Sequence, residues 1–278
     1  MNDAPDSFRA TLRKRVRLAD CLGLAAVPAV LVAVFLLPAE TKLEYVFTYE
    51  RPTLLTAYAA HFVHRSLSHL LSNVFGYALL AGTGYVLAVL ADARRLFFVA
   101  TATYLLAFPP ALSALNLAVP RDAVGYGFSG VTMAFVGLLV ILLAAYAERR
   151  IHPEVSVDHA PVGFLALLAL VSVLLPTHSA VATALAGTAA LGALGYAAMV
   201  AVDVRGTAFH STARGSGWLE LFAFGAVLVL GYPFVGFPAE LGTGVAVVNV
   251  YVHFLGLSLA FLVAFVAVLV DAVPVADE

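Results

Sequence analysis

Long apolar stretches separated by short polar connections dominate the chain. A helix needs about 20 mostly apolar residues to cross a hydrocarbon core of roughly 30 Å. Stretches of about this length are predicted as membrane-spanning helices over 19–38, 67–90, 96–117, 129–147, 161–177, 180–202, 218–236 and 245–271. The pattern therefore predicts an all-α fold, a polytopic transmembrane helix bundle of eight spans.

The polar residues outside these stretches divide the chain into three parts. A cytoplasmic N-terminal segment is expected over 1–18, one transmembrane domain over 19–271 and a short acidic tail over 272–278. The fifth and sixth spans are separated only by residues 176–179. This short connection fits either a tight turn between two helices or a break within one helix.

Composition supports the membrane assignment and excludes other classes. Hydrophobic residues make up 62% of the 278 residues and charged residues only 12%, whereas soluble domains carry about 25% charged residues. The net charge of −2 gives no basic face for nucleic acid. The single cysteine, Cys21, has no partner in the chain for a disulfide.

The positions of the basic residues predict the orientation. Cytoplasmic loops of membrane proteins carry an excess of Lys and Arg. With the N-terminus placed inside, eleven of the 15 basic residues fall in inside segments and four in outside segments. We therefore expect a multi-pass protein of the cell membrane with both termini in the cytoplasm.

A serine between glycines opens the fourth span. Gly127, Ser129 and Gly130 lie where loop becomes helix, so the N–H of Ser129 is among those without a partner in the helix. An anion formed there would meet the favourable end of the helix dipole. The alternative is that the glycines only allow close helix packing.

Two further polar positions interrupt apolar spans. His69 and Asn73 are four residues apart and share a helix face, while His253 lies in the last span with Gly256 three residues later. Such residues usually face a bundle interior or cavity, although they also serve as interhelical hydrogen-bonding groups. The topology derived from charge places all of them at the external ends of their helices.

Together these residues predict a serine hydrolase with a catalytic dyad. A serine hydroxyl needs a neighbouring base to act as a nucleophile, and His253 is the candidate that would accept the proton of Ser129. His69, Asn73 and the backbone N–H of Ser129 would stabilise the oxyanion. No acidic residue is evident near His253, so helix packing is expected to hold its imidazole.

These motifs resemble those of the rhomboid intramembrane serine proteases. The sequence contains H-x-x-x-N at His69 and Asn73, G-x-S-G at Ser129 and H-x-x-G at His253, and the resemblance covers roughly residues 55–150 and 240–265. It implies a rhomboid-like six-helix core with about two extra helices.

The resemblance also implies roles for individual residues. Ser129 would be the nucleophile, His253 the base, and His69 and Asn73 the oxyanion donors, with Gly127 lining the site. Gly130 and Gly256 would allow close helix packing beside it. Residues 39–66 would form a membrane-embedded first loop and residues 237–248 a flexible cap.

The sequence departs from the family pattern in three places. Three spans rather than one separate the serine helix from the histidine helix. Met133 stands where many members carry an aromatic residue that packs on the histidine, which is expected to loosen His253. The first loop has Tyr49-Glu50-Arg51 in place of the family's Trp-Arg pair.

The expected function is that of an intramembrane serine endopeptidase that cleaves transmembrane segments of other proteins. Its partners would be transmembrane protein substrates and the lipid bilayer, with no nucleic acid, no metal and no organic cofactor. One alternative is a catalytically inactive rhomboid-like protein that binds membrane proteins. A transporter or channel is the other alternative, with the polar residues lining a path.

Overall fold

The computed structural model describes residues 7–119, 124–175, 179–238 and 248–273, which are mostly helical. The α-helices, in chain order, are α1 Phe8–Arg15, α2 Leu18–Phe35, α3 Ala39–Glu44, α4 Leu54–Ala59, α5 Leu67–Leu90, α6 Arg94–Leu106, α7 Phe108–Asn116, α8 Ser129–Tyr146, α9 Pro161–Leu174, α10 Ala180–Asp203, α11 Trp218–Gly231, α12 Pro233–Gly236 and α13 Val250–Leu269.

Shorter elements connect these helices. The 3₁₀ segments are Ala60–Phe62, Val157–His159 and Ser211–Arg214, and a π-helical turn, Ala147–Ile151, extends α8. Strand β1 (Phe47–Thr48) pairs antiparallel with β2 (Val124–Gly125), with Phe47 opposite Gly125. This small ladder joins the segment between α2 and α5 to the residues that precede α8.

The described residues contain seven helices long and apolar enough to cross a membrane, or eight if a bent pair is counted as one span. The seven are α2, α5, α8 with its π turn, α9 with the preceding 3₁₀ turn, α10, α11 with α12, and α13. The prediction of an all-α, multi-pass helix bundle is confirmed.

The bent pair replaces the continuous third span predicted over 96–117. Helices α6 and α7 meet at Ala107 and differ in direction by 49°. Pro109 and Pro110 lie in the first turn of α7, where proline is favoured, but they cannot continue a helix from α6 because they lack an N–H and their rings clash with the preceding turn. The second half of the span therefore turns away as a separate short helix.

Helices α9 and α10 form an antiparallel pair. Nε2 of His159, just before α9, lies 3.0 Å from Oδ2 of Asp203 at the end of α10. The start of one helix therefore meets the end of the other, which excludes a single broken helix across this region. Residues 176–178 of the predicted turn lie outside the described part.

One end of the bundle, called here the basic end, is held by ion pairs. Asp92, between α5 and α6, contacts Arg15 and Arg149, with Nε of Arg149 2.9 Å from its carboxylate. Arg94 contacts Asp20 in the same way. Burial raises the pKa of Asp92, but the hydrogen bonds to the two arginines outweigh burial and lower this pKa below its usual value. The arginines at the ends of several helices are thus joined.

Helix α8 lies at the centre of the bundle. Of its most apolar stretch 94% is buried, and it packs chiefly against α13 and α5. A side chain at Gly137 would collide with the backbone of α13 at Leu257 and Phe261. The absence of a side chain lets the two helices approach at backbone distance, as small residues do in membrane bundles.

Aromatic side chains fill the space beside this contact. The ring of Phe135 on α8 lies edge-on to Tyr77 on α5 and to Tyr104 on α6, at centroid distances of 5.4 and 5.7 Å. The hydroxyl of Tyr104 donates to the carbonyl of Ala260 on α13 at 3.2 Å. This aromatic cluster therefore joins α8 to three other helices, α5, α6 and α13.

The close contact at Gly137 predicts the effect of adding one methyl group. Gly137→Ala should lower stability by about 1–3 kcal/mol, because a backbone carbonyl cannot move aside as a flexible side chain can. Thermal unfolding in detergent measures this. The control is Gly82→Ala on α5, where nothing lies within 4 Å of the added atom and alanine favours the helix. Equal stability of the two variants would contradict the close α8–α13 contact.

Candidate functional site

The turn before α8 is fixed by a glycine that touches α5. Gly127 has a φ of 108°, a conformation that favours glycine, and its N–H donates to the carbonyl of Ala60 at 2.9 Å. A Cβ at Gly127 would lie 2.5 Å from Cε1 of His69. The turn is therefore held between the segment that joins α2 to α5, through Ala60, and the ring of His69.

Ser129 is the first residue of α8 and is partly exposed. Phe128 precedes it as the N-cap and supplies no side-chain hydrogen bond to the helix. The first N–H groups of a helix have no partner within it, so the backbone N–H of Ser129 remains a candidate donor to an oxyanion. Its position agrees with the predicted start of the span.

Helices α8 and α13 cross next to Ser129. A side chain at Gly256 would collide with the carbonyl oxygen of Gly130, and a Cβ at Gly130 would lie 2.5 Å from Cγ1 of Val252. Ser129 and His253 are the chain neighbours of Gly130 and Val252. The crossing thus brings together the helix segments that carry both residues of the predicted dyad.

A backbone carbonyl orients His253. Nδ1 of this buried side chain lies 2.6 Å from the carbonyl oxygen of Gly236. A carbonyl oxygen only accepts, so Nδ1 carries the hydrogen and Nε2 keeps its lone pair. This is the tautomer that a general base toward serine requires. The ring of Phe237 lies edge-on to the imidazole, with the centroids 6.1 Å apart.

Met133 connects this carbonyl to the serine helix. It follows Ser129 by four residues, so the two share a face of α8. A Cβ at Gly236 would lie 2.7 Å from the sulfur of Met133. The face of α8 that carries Ser129 therefore faces the peptide that holds His253. Phe237 supplies the aromatic contact with the imidazole that the sequence lacks at Met133.

The predicted oxyanion donors lie on α5. His69 is partly exposed and Asn73 is 4% exposed, and Nδ2 of Asn73 donates to the carbonyl of His69 at 2.9 Å. An amide nitrogen carries two hydrogens, so this bond leaves one for another acceptor. The His69 ring also lies against the turn at Gly127, two residues before Ser129. The structure therefore brings the α5 residues beside the α8–α13 crossing.

One contact expected of a dyad is not made. Within the described part of the chain, the hydroxyl of Ser129 forms no hydrogen bond with His253, whose ring nitrogen Nδ1 is bonded to Gly236. Catalytic hydrogen bonds are often long in enzymes without substrate and shorten in the complex. The two helix segments therefore lie side by side without a bond between the predicted nucleophile and base.

A second set of polar residues fixes the start of α13. Oδ1 of Asn249 accepts from the N–H of Val252 at 3.2 Å and thereby caps the helix. Its Nδ2 donates to Asn116 at 3.3 Å, and Asn116 in turn donates to the hydroxyl of Tyr49 at 2.5 Å. These bonds therefore link the segment between α2 and α5, through Tyr49, to α7 and to the start of α13, one helical turn from His253.

His64 packs against His69 at the edge of the site. The ring centroids are 4.9 Å apart, and Nδ1 of His64 donates to the carbonyl of Phe62 at 3.2 Å. Its Nε2 is buried with no hydrogen-bond partner among the described residues. Burial, and secondarily His69, lower the pKa of His64 to about 4. A neutral ring therefore supports His69.

Gly236, Phe237 and Asn249 were missed in the sequence. A backbone acceptor such as the Gly236 carbonyl has no residue-type pattern, so only the folded chain reveals it. Asn249 lies inside the last span predicted over 245–271, but α13 begins only at Val250 with Asn249 as its N-cap, because asparagine is favoured at that position. Most of the predicted cap, residues 239–247, lies outside the described part.

No metal or cofactor position emerges from these contacts. Over residues 7–119, 124–175, 179–238 and 248–273, no group of three or more His, Cys, Asp or Glu side chains is placed to hold a metal ion.

The Gly236 contact predicts the tautomer of His253. In protein with ¹⁵N-labelled histidine, NMR spectra should show hydrogen on Nδ1 and none on Nε2, with the signals assigned from the His253→Gln variant. His152 is an internal control of opposite tautomer, because its Nε2 donates to the carbonyl of Thr207 at 3.2 Å and its Nδ1 accepts from Glu154. Hydrogen on Nε2 of His253 would contradict the assigned bond.

The buried His64 predicts sensitivity to acid. An unfolded histidine takes up a proton near pH 6.5, whereas folded His64 does so only near pH 4. The unfolded state therefore binds more protons between these values, and stability falls as the pH is lowered through them. His64→Gln should lose less stability than the wild type between pH 7 and pH 5, measured by thermal unfolding.

Comparisons with known proteins identify no relative. No family model matches the chain, and neither a curated protein nor a solved structure is significantly similar to it.

Proposed function

We propose that the chain is an intramembrane serine endopeptidase in which Ser129 is the nucleophile and His253 the general base. The observation that carries the proposal is the bond from Nδ1 of His253 to the Gly236 carbonyl. It leaves Nε2 unprotonated beside the α8–α13 crossing, where Ser129 begins its helix. The resemblance of the three motifs to rhomboid proteases supports the same assignment.

The reaction would proceed by acyl transfer. Nε2 of His253 accepts the hydroxyl proton as Ser129 Oγ attacks the peptide carbonyl carbon. The proton then passes to the leaving amine, the C–N bond breaks, and an ester to Ser129 remains. Water, deprotonated by the same imidazole, cleaves the ester and restores the serine. The Gly236 carbonyl stabilises the imidazolium that forms in both steps.

The negative oxygen of each tetrahedral intermediate requires donors already in place. The backbone N–H of Ser129, the remaining N–H of Asn73 and the His69 ring are the candidates. His69 is held by its contact with Gly127, and Asn73 by its bond to the His69 carbonyl. Donors fixed in this way need little reorganisation when the charge develops.

The substrates would be transmembrane segments of other proteins. The candidate site lies near one end of long apolar helices, so a substrate helix in the bilayer would reach it from the side, and water from the nearby surface. A helical peptide bond is hidden from attack, so local unwinding is required. We therefore expect small residues near the cleaved bond and helix-breaking residues beyond it.

The proposed location is the cell membrane, with the basic end in the cytoplasm. The ion-paired arginines all lie at one end of the bundle, and cytoplasmic segments carry most basic residues. The N- and C-termini would then lie inside and the Ser129 end outside.

The absence of a hydrogen bond between Ser129 and His253 favours one alternative function. A protein that binds membrane segments without cleaving them would keep the same helix arrangement and need no proton transfer. This alternative predicts that substitution of Ser129 leaves binding and function unchanged. The transporter alternative has no comparable observation in its favour.

Cleavage of a tagged single-span substrate by the purified protein in detergent tests the proposal. Ser129→Ala and His253→Ala should abolish cleavage, and Asn73→Ala should slow it by about 10²–10³-fold. Ser211→Ala and His210→Ala remove the same residue types at the basic end and should leave the rate unchanged. Cleavage that survives Ser129→Ala would exclude the mechanism. Inactivity of the wild type across several substrates would favour the binding protein.

A further inference from the structure

A cavity of about 360 Å³ opens at the basic end of the bundle, and none of its lining residues belongs to the candidate site. It lies where α1, the start of α2 and the turn between α5 and α6 meet. The lining residues are Lys14, Arg15, Arg17, Val89, Asp92 and Arg94. Four basic side chains and one acidic side chain line the cavity, and Asp20 outside the lining pairs with Arg94. The group of six charged side chains therefore has a net charge of about +2.

Aspartates hold two of the arginines in place. Arg15 donates to Asp92 and, at 2.9 Å, to the carbonyl of Val89. Arg94 donates to Asp20 and to the carbonyl of Arg15. Asp20 is itself held by the hydroxyl of Tyr85 at 2.7 Å. A guanidinium has five N–H donors, so an arginine anchored in this way can still bind a further acceptor.

The cavity borders the start of α2. This 18-residue helix begins at Leu18, directly after the lining residue Arg17, which acts as the N-cap without a side-chain hydrogen bond. The N–H groups and dipole at a helix start favour an anion, and Asp20 already lies in the first turn of α2. The attraction of the cavity for a ligand anion therefore comes chiefly from its basic side chains.

An apolar surface continues from the cavity toward the membrane interior. Leu18 and Leu22 on α2 are 75% and 62% exposed, and only 11% of the α2 span is buried. A ligand with a phosphate in the cavity and acyl chains along α2 would cover both surfaces. Helix α1 is anchored to the bundle through Phe8, which packs edge-on against Trp218 at 5.2 Å.

We infer that this cavity binds a phosphate group, either the headgroup phosphate of an anionic phospholipid or free phosphate. Arginine pairs match phosphate geometry, and basic cavities between helices at the cytoplasmic side are suited to anionic headgroups. Binding would join α1 and α2 to the α5–α6 turn and stabilise the bundle. The inference is independent of the proposed protease.

The test compares two double variants that remove the same charge. Lys14→Gln/Arg17→Gln changes the cavity lining, whereas Arg9→Gln/Arg13→Gln changes two exposed residues of α1 that do not line it. Each purified full-length protein is titrated in detergent with phosphatidylglycerol, phosphatidylcholine or inorganic phosphate. The thermal unfolding midpoint is recorded at each concentration, starting from the midpoint without additive.

Phosphatidylglycerol should raise the wild-type midpoint at lower concentrations than phosphatidylcholine. The cavity variant should need about 10- to 30-fold more phosphatidylglycerol for half of the effect, since each basic residue near an anionic lipid contributes about a factor of five. The exposed-residue variant should respond like the wild type. A midpoint without additive close to that of the wild type shows that a variant is folded.

The remaining outcomes identify the source of the phosphate or overturn the inference. Protection by inorganic phosphate alone, lost in the cavity variant, supports a site for soluble phosphate. Protection by phosphatidylglycerol only supports a lipid site. Equal protection by both lipids, or equal weakening in both double variants, overturns the inference, because the effect would then come from general charge or detergent exchange.

Discussion

The backbone contact between α8 and α13 is the constraint on which the candidate site depends. In a bilayer, lipid solvates apolar side chains as well as a neighbouring helix does, so association relies on close packing. Gly130 and Gly137 on α8 and Gly256 on α13 provide it, because a Cβ at any of them would collide with the other helix. The same contact sets the separation of Ser129 and His253, so fold stability and site geometry depend on the same glycines.

The orientation of His253 depends on a helix that precedes it in the chain. Gly236, at the end of α12, accepts the Nδ1 hydrogen, and Phe237 contacts the ring. The α11–α12 span is therefore part of the site. Helix α10 has only 6% of its span buried and packs mainly on α9, so of the helices between α8 and α13 it bears least on the site. A substitution at Met133 acts on His253 indirectly, through the Gly236 peptide.

The ion pairs and the candidate site residues lie toward opposite ends of an apolar bundle. One end carries linked arginines and aspartates around a cavity, and the other carries the residues beside Ser129. Unpaired polar groups are costly in hydrocarbon, and the paired or capped state of most of these groups is consistent with that cost. His64 is one of several exceptions, with a buried nitrogen that has no partner among the described residues. Its ring lies against His69, the proposed oxyanion donor.

The sequence by itself determined the helices, the grouping of charge and the candidate residues, because hydropathy, charge and helix-start signals are local properties. Pro109 and Pro110 also indicate the bend between α6 and α7. The prediction of one continuous span there was wrong because it used only the length of the apolar stretch. Only the tertiary structure decided the antiparallel pairing of α9 with α10, the link from Asn116 to Asn249 and the cavity around Arg15. It also decided the tautomer of His253, since the partner is a backbone carbonyl. Such contacts depend on where distant segments of the chain meet. Every residue has a backbone carbonyl, so the residue type does not show which carbonyl will accept a hydrogen bond.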